Sequence, residues 1–398
     1  MITVAEAWKL IQQSQHDFGV ETVPLLQSTG RILRETWVAD RDFPPFHRVA
    51  MDGIAIDFVA WEKGRREFAV AGVAPAGAPQ QALADVNSCL EVMTGAMLPT
   101  GCDTVIPYEL VSIADGKAAV NLESLKQGQN IHRQGHDRSR GAALVAPGKV
   151  IAAPEIGVGA TIGQHEVQVA RLPKVLVVSS GNELVEVEQT PLPHQIRKSN
   201  VHTLAAEVER LGLPVARLHL PDDYAGIEQK LRQQIAENDV LLLSGGVSKG
   251  KFDFLPKALS AIGVEQHFHR VRQRPGKPFW FGTHPAGCTV FAFPGNPVSS
   301  FLCFHHYFVP WLRLCLGQVA PQNSKAVLAE EVNFKPDLTL FLTVRLRYSD
   351  QGQLMAHPVR GNGSGDLANL TEADGYVVIP QGKEVFAQGE VLELVRFR

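Results

Sequence analysis

Apolar positions recur at helical spacing close to the N-terminus, where Val4, Trp8 and Ile11 share one face behind the capping box Thr3-x-x-Glu6. This pattern predicts a helix that Gly19 can end. From about residue 42 to 134 the pattern shortens to β-rich runs at 67–73, 89–93, 104–108 and 118–122, punctuated by Gly and Pro. A separate small β domain is expected there. Residues 136–173 carry turns at Gly135, Gly141 and Gly148 and a stretch, 156–162, of small and β-branched residues, which reads as a connector returning from that domain.

A regular alternation follows. Strands are expected at 174–178, 215–220, 240–243 and 290–293, with helices at 201–211 and 225–237. The helix faces are Leu204, Val208, Leu211 and Ile227, Leu231, Ile235, with Gly212 as a C-terminal stop. After the last strand, Asn296-Pro297 offers an N-cap followed by proline at the first helical position. Strand and helix in alternation imply a mostly parallel sheet covered on both faces. Beyond about residue 321 the alternation stops and strands at 340–347, 376–379 and 391–395 suggest a final β domain. The expected architecture is an α/β multidomain chain, with a central doubly wound domain (173–320) between β-rich domains (44–135 and 321–398) and a discontinuous first domain (1–43 plus 136–172).

Length and charge then narrow the class. At 398 residues, 45% of them hydrophobic, the chain can bury several cores, so a single small binding module is excluded. With 38 Lys and Arg against 41 Asp and Glu, the balance of -3 gives no general attraction to nucleic acid or to a membrane, so any anion site must be local. The five cysteines are scattered without a C-x-x-C pair, which suits a reducing cytoplasm better than a disulfide framework or zinc knuckle. No signal peptide or uninterrupted apolar span is read; the most apolar helix candidate, 301–316, is broken by His305, His306, Pro310 and Arg313.

In a doubly wound sheet, ligands collect beyond the carboxyl ends of the strands, where glycine lets backbone approach a phosphate. Three loops occupy that position. They are Ser179-Ser180-Gly181-Asn182-Glu183, Ser244-Gly245-Gly246-Val247-Ser248-Lys249-Gly250 and Pro294-Gly295-Asn296-Pro297. Downstream, Arg270, Arg272 and Arg274 would share one face of an extended segment, and the turn Arg274-Pro275-Gly276-Lys277-Pro278 would aim Arg274 and Lys277 at an oxyanion. A solvated edge strand is the plainer alternative. Glu183, Asp222 and Asp253 each follow a strand end and could gather around a hard cation such as Mg2+, or simply cap loops. Gly246-Val247-Ser248-Lys249-Gly250 also matches a G-x-S-x-G nucleophile elbow, although the loop is longer than that motif's tight turn. His267, His269, His305 and His306 form no metal set by spacing, and Trp280 reads as core.

Ordered phrases along nearly the whole chain resemble the molybdopterin molybdenumtransferases, a family that includes the C-terminal domain of gephyrin. They are Pro44-Pro45-Phe46, Ala50-Met51-Asp52-Gly53, Met93-Thr94-Gly95-Ala96, Gly135-His136-Asp137, Ser180-Gly181-Asn182-Glu183-Leu184, Ser199-Asn200, Ser244-Gly245-Gly246-Val247-Ser248, Arg274-Pro275-Gly276-Lys277-Pro278, Pro294-Gly295-Asn296-Pro297 and Ala373-Asp374-Gly375. The resemblance implies an enzyme that takes adenylylated molybdopterin and molybdate, cleaves off AMP with Mg2+ present and leaves molybdenum on the dithiolene sulfurs. It also implies a homodimer of elongated four-domain subunits, with the site between the central domain of one chain and the β domain of the other. The upstream adenylyltransferase and downstream molybdoenzyme chaperones are the implied protein partners.

On that resemblance Asp52, Thr94 and Asp137 join Glu183 and Asp253 as catalytic candidates, the first two contributed across the dimer. The loops carrying Ser180, Gly181, Ser244, Gly245, Gly246, Ser248, Pro294, Gly295 and Asn296 would hold pterin and diphosphate, while Arg274, Lys277 and Ser364 would reach molybdate. Glu183, Asp222 and Asp253 would bind Mg2+. The sequence departs from the family at Arg274 (usually Lys), at Asn182 and Lys198 (usually Asp), and in the added charges of Lys249 and Lys251. The competing readings are a serine hydrolase, a molybdopterin adenylyltransferase and a pterin-binding scaffold without turnover.

Overall fold

The computed structural model describes residues 1–247, 254–319 and 324–398. Its centre is a six-stranded sheet of β1 (Val175–Ser180), β2 (Val215–Leu220), β3 (Val240–Ser244), β4 (Glu265–His269), β5 (Trp280–Thr283) and β6 (Thr289–Phe293), in the order β2-β1-β3-β6-β5-β4. The first four in that order are parallel; β5 and β4 extend the sheet antiparallel. Alternating residues explain why both faces are covered. Val175, Val177, Val240, Leu242 and Phe291 point into one core with α1 (Asn200–Arg210), whereas Leu176, Val178, Leu241, Leu243 and Val290 point into another with α2 (Tyr224–Glu237) and α3 (Leu255–Ala261).

The parallel register brings Ser179, Ser244 and Phe293 level, so the three glycine-bearing loops leave the sheet at one edge. The helix after β6 contains one wider turn. It starts at Pro297, widens to a π turn over Phe304–Phe308 and continues as Val309–Cys315 through Pro310. A proline in a regular helix clashes with the carbonyl four residues back, and the wider turn accommodates it.

Each flanking region has its own sheet. Gly53–Ile56 joins five other strands between residues 67 and 120 in a six-stranded sheet, so the turn-like Ala50-Met51-Asp52-Gly53 leads directly into a buried strand. Chain before and after this sheet pairs: Val20–Pro24 lies antiparallel to Glu166–Ala170, and Trp37–Val38 to Ala143–Val145. The stretch read as a connector contains a helix, Ala153–Thr161, because Gly159 and its small neighbours let it close on Leu25 and Trp37. The N-terminal capping box forms as expected, but that helix stops at Gln13, before Gly19.

The C-terminal strands Thr339–Tyr348, Leu354–Pro358, Ser324–Leu328, Val391–Arg396 and Gly375–Ile379 pair in that order, and the last pairs back to the first, closing a barrel. A short strand, Gln273–Arg274, adds to it in parallel, with Arg274 opposite Leu340. All five cysteines are buried and unpaired. Among the described residues no helix is long and apolar enough to cross a membrane.

Candidate functional site

The three loops and the barrel enclose a cavity of about 980 Å3. Ser180, Glu183, Gly245, Gly246, Pro294, Gly295 and Asn296 line its sheet-edge side; Arg274 and Lys277 lie at the junction with the barrel; Ser364, Thr343, Arg360 and Asn369 form the far wall. A smaller hollow of about 390 Å3 shares Ser180, Glu183, Gly245, Gly295 and Asn296 and adds Ser244, Lys198, Ser199 and Asn200. Residues separated by almost two hundred positions in sequence thus face one crevice.

Local backbone explains how the loops reach it. Gly245 and Gly246 have φ of 91° and 66°, values an L side chain rarely adopts. A Cβ on Gly246 would also come within 2.8 Å of Ser180 Oγ and within 2.7 Å of Leu255. Asn200, at the start of α1, ties two loops together by donating to Ser244 Oγ at 2.9 Å and to the Gly295 carbonyl at 2.7 Å. Asn296 occupies the N-cap position without capping through its side chain. Its amide instead donates to Ser364 Oγ at 2.6 Å, and the Ser364 carbonyl accepts from Val298 N–H at 3.1 Å.

The cationic turn is anchored from beneath. Gln273 is fully buried and donates to the Gly276 carbonyl at 3.1 Å and to Cys303 Sγ at 3.2 Å, while accepting from the Tyr307 hydroxyl. Arg274 and Lys277 are left exposed to the cavity. The expected row of three arginines does not form: Arg270 has φ of 78° and breaks the extended run, and Arg272 pairs with Asp337. Only Arg274 of the three lines the cavity.

The acidic candidates separate. Glu183 lines both hollows, and its carboxylate has no hydrogen-bond or ion-pair partner among the described residues. It lies over Gly181, where a Cβ would fall 2.3 Å from Glu183 Oε2. Asp222 lines neither hollow; its Oδ2 accepts Asn182 N–H at 3.2 Å, and Asn182 Oδ1 accepts Asp222 N–H at 3.1 Å. Asp222 therefore braces the first loop. Asp253, Ser248, Lys249 and Lys251 lie outside the described residues.

Asp52 and Thr94 belong to the β-rich region, Asp137 follows the strand Ile131–His132, and none of the three lines the cavity. Asp52 Oδ1 accepts Thr94 N–H at 2.6 Å, and the Thr94 backbone and hydroxyl together hold the Asp52 carboxyl below its ordinary value. Gly53 beside it is obligatory, since a Cβ would overlap the Ile106 carbonyl at 1.9 Å.

Three of the four histidines considered above hydrogen-bond within the fold: His269 Nε2 meets the Val247 carbonyl at 2.8 Å, His267 meets Thr283 at 2.7 Å, and His306 contacts the Tyr376 hydroxyl at 3.1 Å. Trp280 is buried and donates to Gln266. Sequence pattern gave no sign of Gln273, Thr343 or Asn369, because single amides and hydroxyls gain meaning only from what they face.

Three family models together match most of the chain. Residues 2–163 match the model of the "MoeA N-terminal region (domain I and II)", 176–314 that of the "Probable molybdopterin binding domain" and 325–397 that of the "MoeA C-terminal region (domain IV)". A curated "Molybdopterin molybdenumtransferase" of Synechocystis is 39% identical over 393 residues, covering 98% of each chain. The chain belongs to the molybdopterin molybdenumtransferase family.

A second relative of the same name, from Staphylococcus epidermidis, is 30% identical and covers 99% of this chain and 95% of its own. Among solved structures, a molybdopterin biosynthesis MoeA protein from Pyrococcus horikoshii aligns with a TM-score of 0.85 at 29% identity, across 100% of this chain and 99% of that one. The cavity described above lies where the residues matched by the second and third models, 176–314 and 325–397, meet. The β regions on both sides are integral to the family, which removes the reading of a lone nucleophile-elbow hydrolase.

Proposed function

We propose that this chain inserts molybdenum into adenylylated molybdopterin and releases AMP, completing molybdenum cofactor biosynthesis. The observation that carries the reading is the single cavity in which glycine-rich loops at the sheet edge face Arg274 and Lys277. Backbone N–H groups and Ser180 and Asn296 would hold the phosphates and pterin, and the two cations would hold molybdate as an oxyanion. Ser364 would complete that anion pocket from the barrel wall. Fixed charges of this kind stabilise the charge that develops as the phosphoryl group is cleaved.

Mg2+ fits the donor set in one respect: Glu183 offers an unpaired carboxylate inside the cavity, as a hard cation requires. Glu183 would hold the ion, with Asp253 as a second ligand, while Asp222 acts by fixing the loop. When bound, the ion would neutralise phosphate charge. Asp52 and Thr94 would act on the cavity of a partner subunit in a homodimer, since they stand away from the cavity of their own chain. We place the protein in the cytoplasm, with its small-molecule substrates, the upstream adenylyltransferase and downstream molybdoenzyme chaperones as partners.

The test follows AMP with purified protein, adenylylated molybdopterin, molybdate and Mg2+. Molybdate-dependent AMP release with active cofactor is the expected result. ATP consumption with plain molybdopterin would make it an adenylyltransferase, and binding without product would make it a scaffold; either outcome overturns the reading.

A further inference from the structure

A cluster outside the cavity has the makings of a metal site. His132 ends a two-residue strand, Ile131–His132, paired with Arg48–Val49, and the chain then turns through Gly135 to bring His136 and Asp137 back beside it. The turn is held at its backbone: Gly135 N–H donates to the Pro44 carbonyl at 3.0 Å, His136 to Arg133 at 3.2 Å and Asp137 to Phe43 at 2.9 Å. Asp137 Oδ1 lies 3.0 Å from His132 Nε2 and 3.5 Å from His136 Nδ1, and each of the three residues offers a ligand atom within 4.8 Å of the other two.

Those separations bracket what a small tetrahedral ion needs. With bonds of about 2.0 to 2.1 Å, the edge of a tetrahedron of ligand atoms is roughly 3.3 Å. Two imidazoles and one carboxylate select a borderline first-row cation over Mg2+, which prefers oxygen donors throughout. Side-chain exposures of 69% for His136 and 52% for Asp137 leave one side open for a fourth ligand from solvent.

We propose that His132, His136 and Asp137 form a three-ligand site for zinc or a chemically similar divalent cation. One neighbour tunes it. Arg48 Nη2 lies 3.1 Å from His132 Nδ1, and because a guanidinium only donates, that nitrogen accepts and the ring proton sits on Nε2, facing Asp137. Metal binding replaces the Nε2 proton, moves the ring proton to Nδ1 and expels the exposed Arg48 side chain. Arg48 therefore opposes the metal.

The experiment is a Co2+ titration of the untagged full-length protein, read by the visible absorption of tetrahedral cobalt and by calorimetry, neither of which depends on the proposed reaction. Equimolar saturation, displacement by zinc and indifference to excess Mg2+ are expected. His136→Gln should weaken binding by ~10-fold or more, and the His132→Gln/His136→Gln pair should abolish the tetrahedral signal with the circular dichroism spectrum unchanged. Arg48→Ala should tighten binding several-fold. The absence of equimolar binding in the wild type, or equal binding in the double variant, would overturn the site; an Arg48→Ala protein that binds more weakly would overturn the proton placement.

Discussion

Asn296 Nδ2 donates to Ser364 Oγ at 2.6 Å, joining the start of the helix after β6 to a loop of the C-terminal barrel across 68 positions of sequence. The contact makes the barrel a wall of the cavity, and it turns the N-cap residue away from its own helix. Removing the hydroxyl in Ser364→Ala should leave the fold intact and raise the molybdate concentration at half-maximal AMP release by ~5-fold, the size of one ordinary hydrogen bond of about 1 kcal/mol. Steady-state rates over a molybdate series measure it.

Lys277 reaches the cavity from a turn fixed by buried neighbours, and no carboxylate among the described residues is paired with it. Lys277→Ala should raise the molybdate requirement by between ~10-fold and ~100-fold, as loss of one charge-assisted contact predicts. Affinity for the pterin substrate, measured by equilibrium binding without molybdate, should change little. An unchanged molybdate dependence would contradict the oxyanion role.

Gln273 touches no solvent, yet it satisfies Gly276, Cys303 and Tyr307 together. Gln273→Leu leaves those groups unpaired in the core, at a cost of about 1 to 3 kcal/mol for a buried polar group. Urea midpoints should fall accordingly, and the molybdate requirement should rise because the turn bearing Arg274 and Lys277 loses its anchor.

His306 packs against Phe341 and Tyr376, and burial pushes its ring down to about 4 from 6.5. Unfolded, the ring takes a proton below pH 6.5; folded, only below about 4. Its contribution to stability is therefore complete above pH 6.5 and is lost progressively as pH falls through that window, by up to ~1.4 kcal/mol per pH unit. His306→Gln can keep a hydrogen bond to the Tyr376 hydroxyl and does not titrate. Urea midpoints measured from pH 7 to 4 should fall less steeply in this variant than in the wild type.

Glu183→Gln keeps the shape of a side chain that already lies against Gly181 and removes its charge. Turnover should fall by at least ~100-fold, with thermal unfolding unchanged and with excess Mg2+ unable to restore the rate. A wild-type rate would take Glu183 out of the chemistry.

Much of this architecture is written in local pattern. Short continuous apolar runs bounded by turns mark β1, β3 and β6, and the 3.6-residue faces of α1 and α2 were legible to within a residue or two, because each burial face is set by neighbours in sequence. The glycine-bearing loops were legible for the same reason. The helix at Ala153–Thr161 was not, since its small residues have weak propensity and become helical by packing on Leu25 and Trp37.

Sequence alone thus determined the four parallel strands of the central sheet, the loops at its edge and, through ordered phrases, the family, while the two antiparallel strands β4 and β5 came only with the fold. Tertiary structure decided which charged groups share the crevice: Arg274 but not Arg272, Glu183 but not Asp222. The reason is physical. Backbone periodicity depends on adjacent residues, whereas the partner of a carboxylate or guanidinium depends on whatever the completed fold brings within hydrogen-bonding distance.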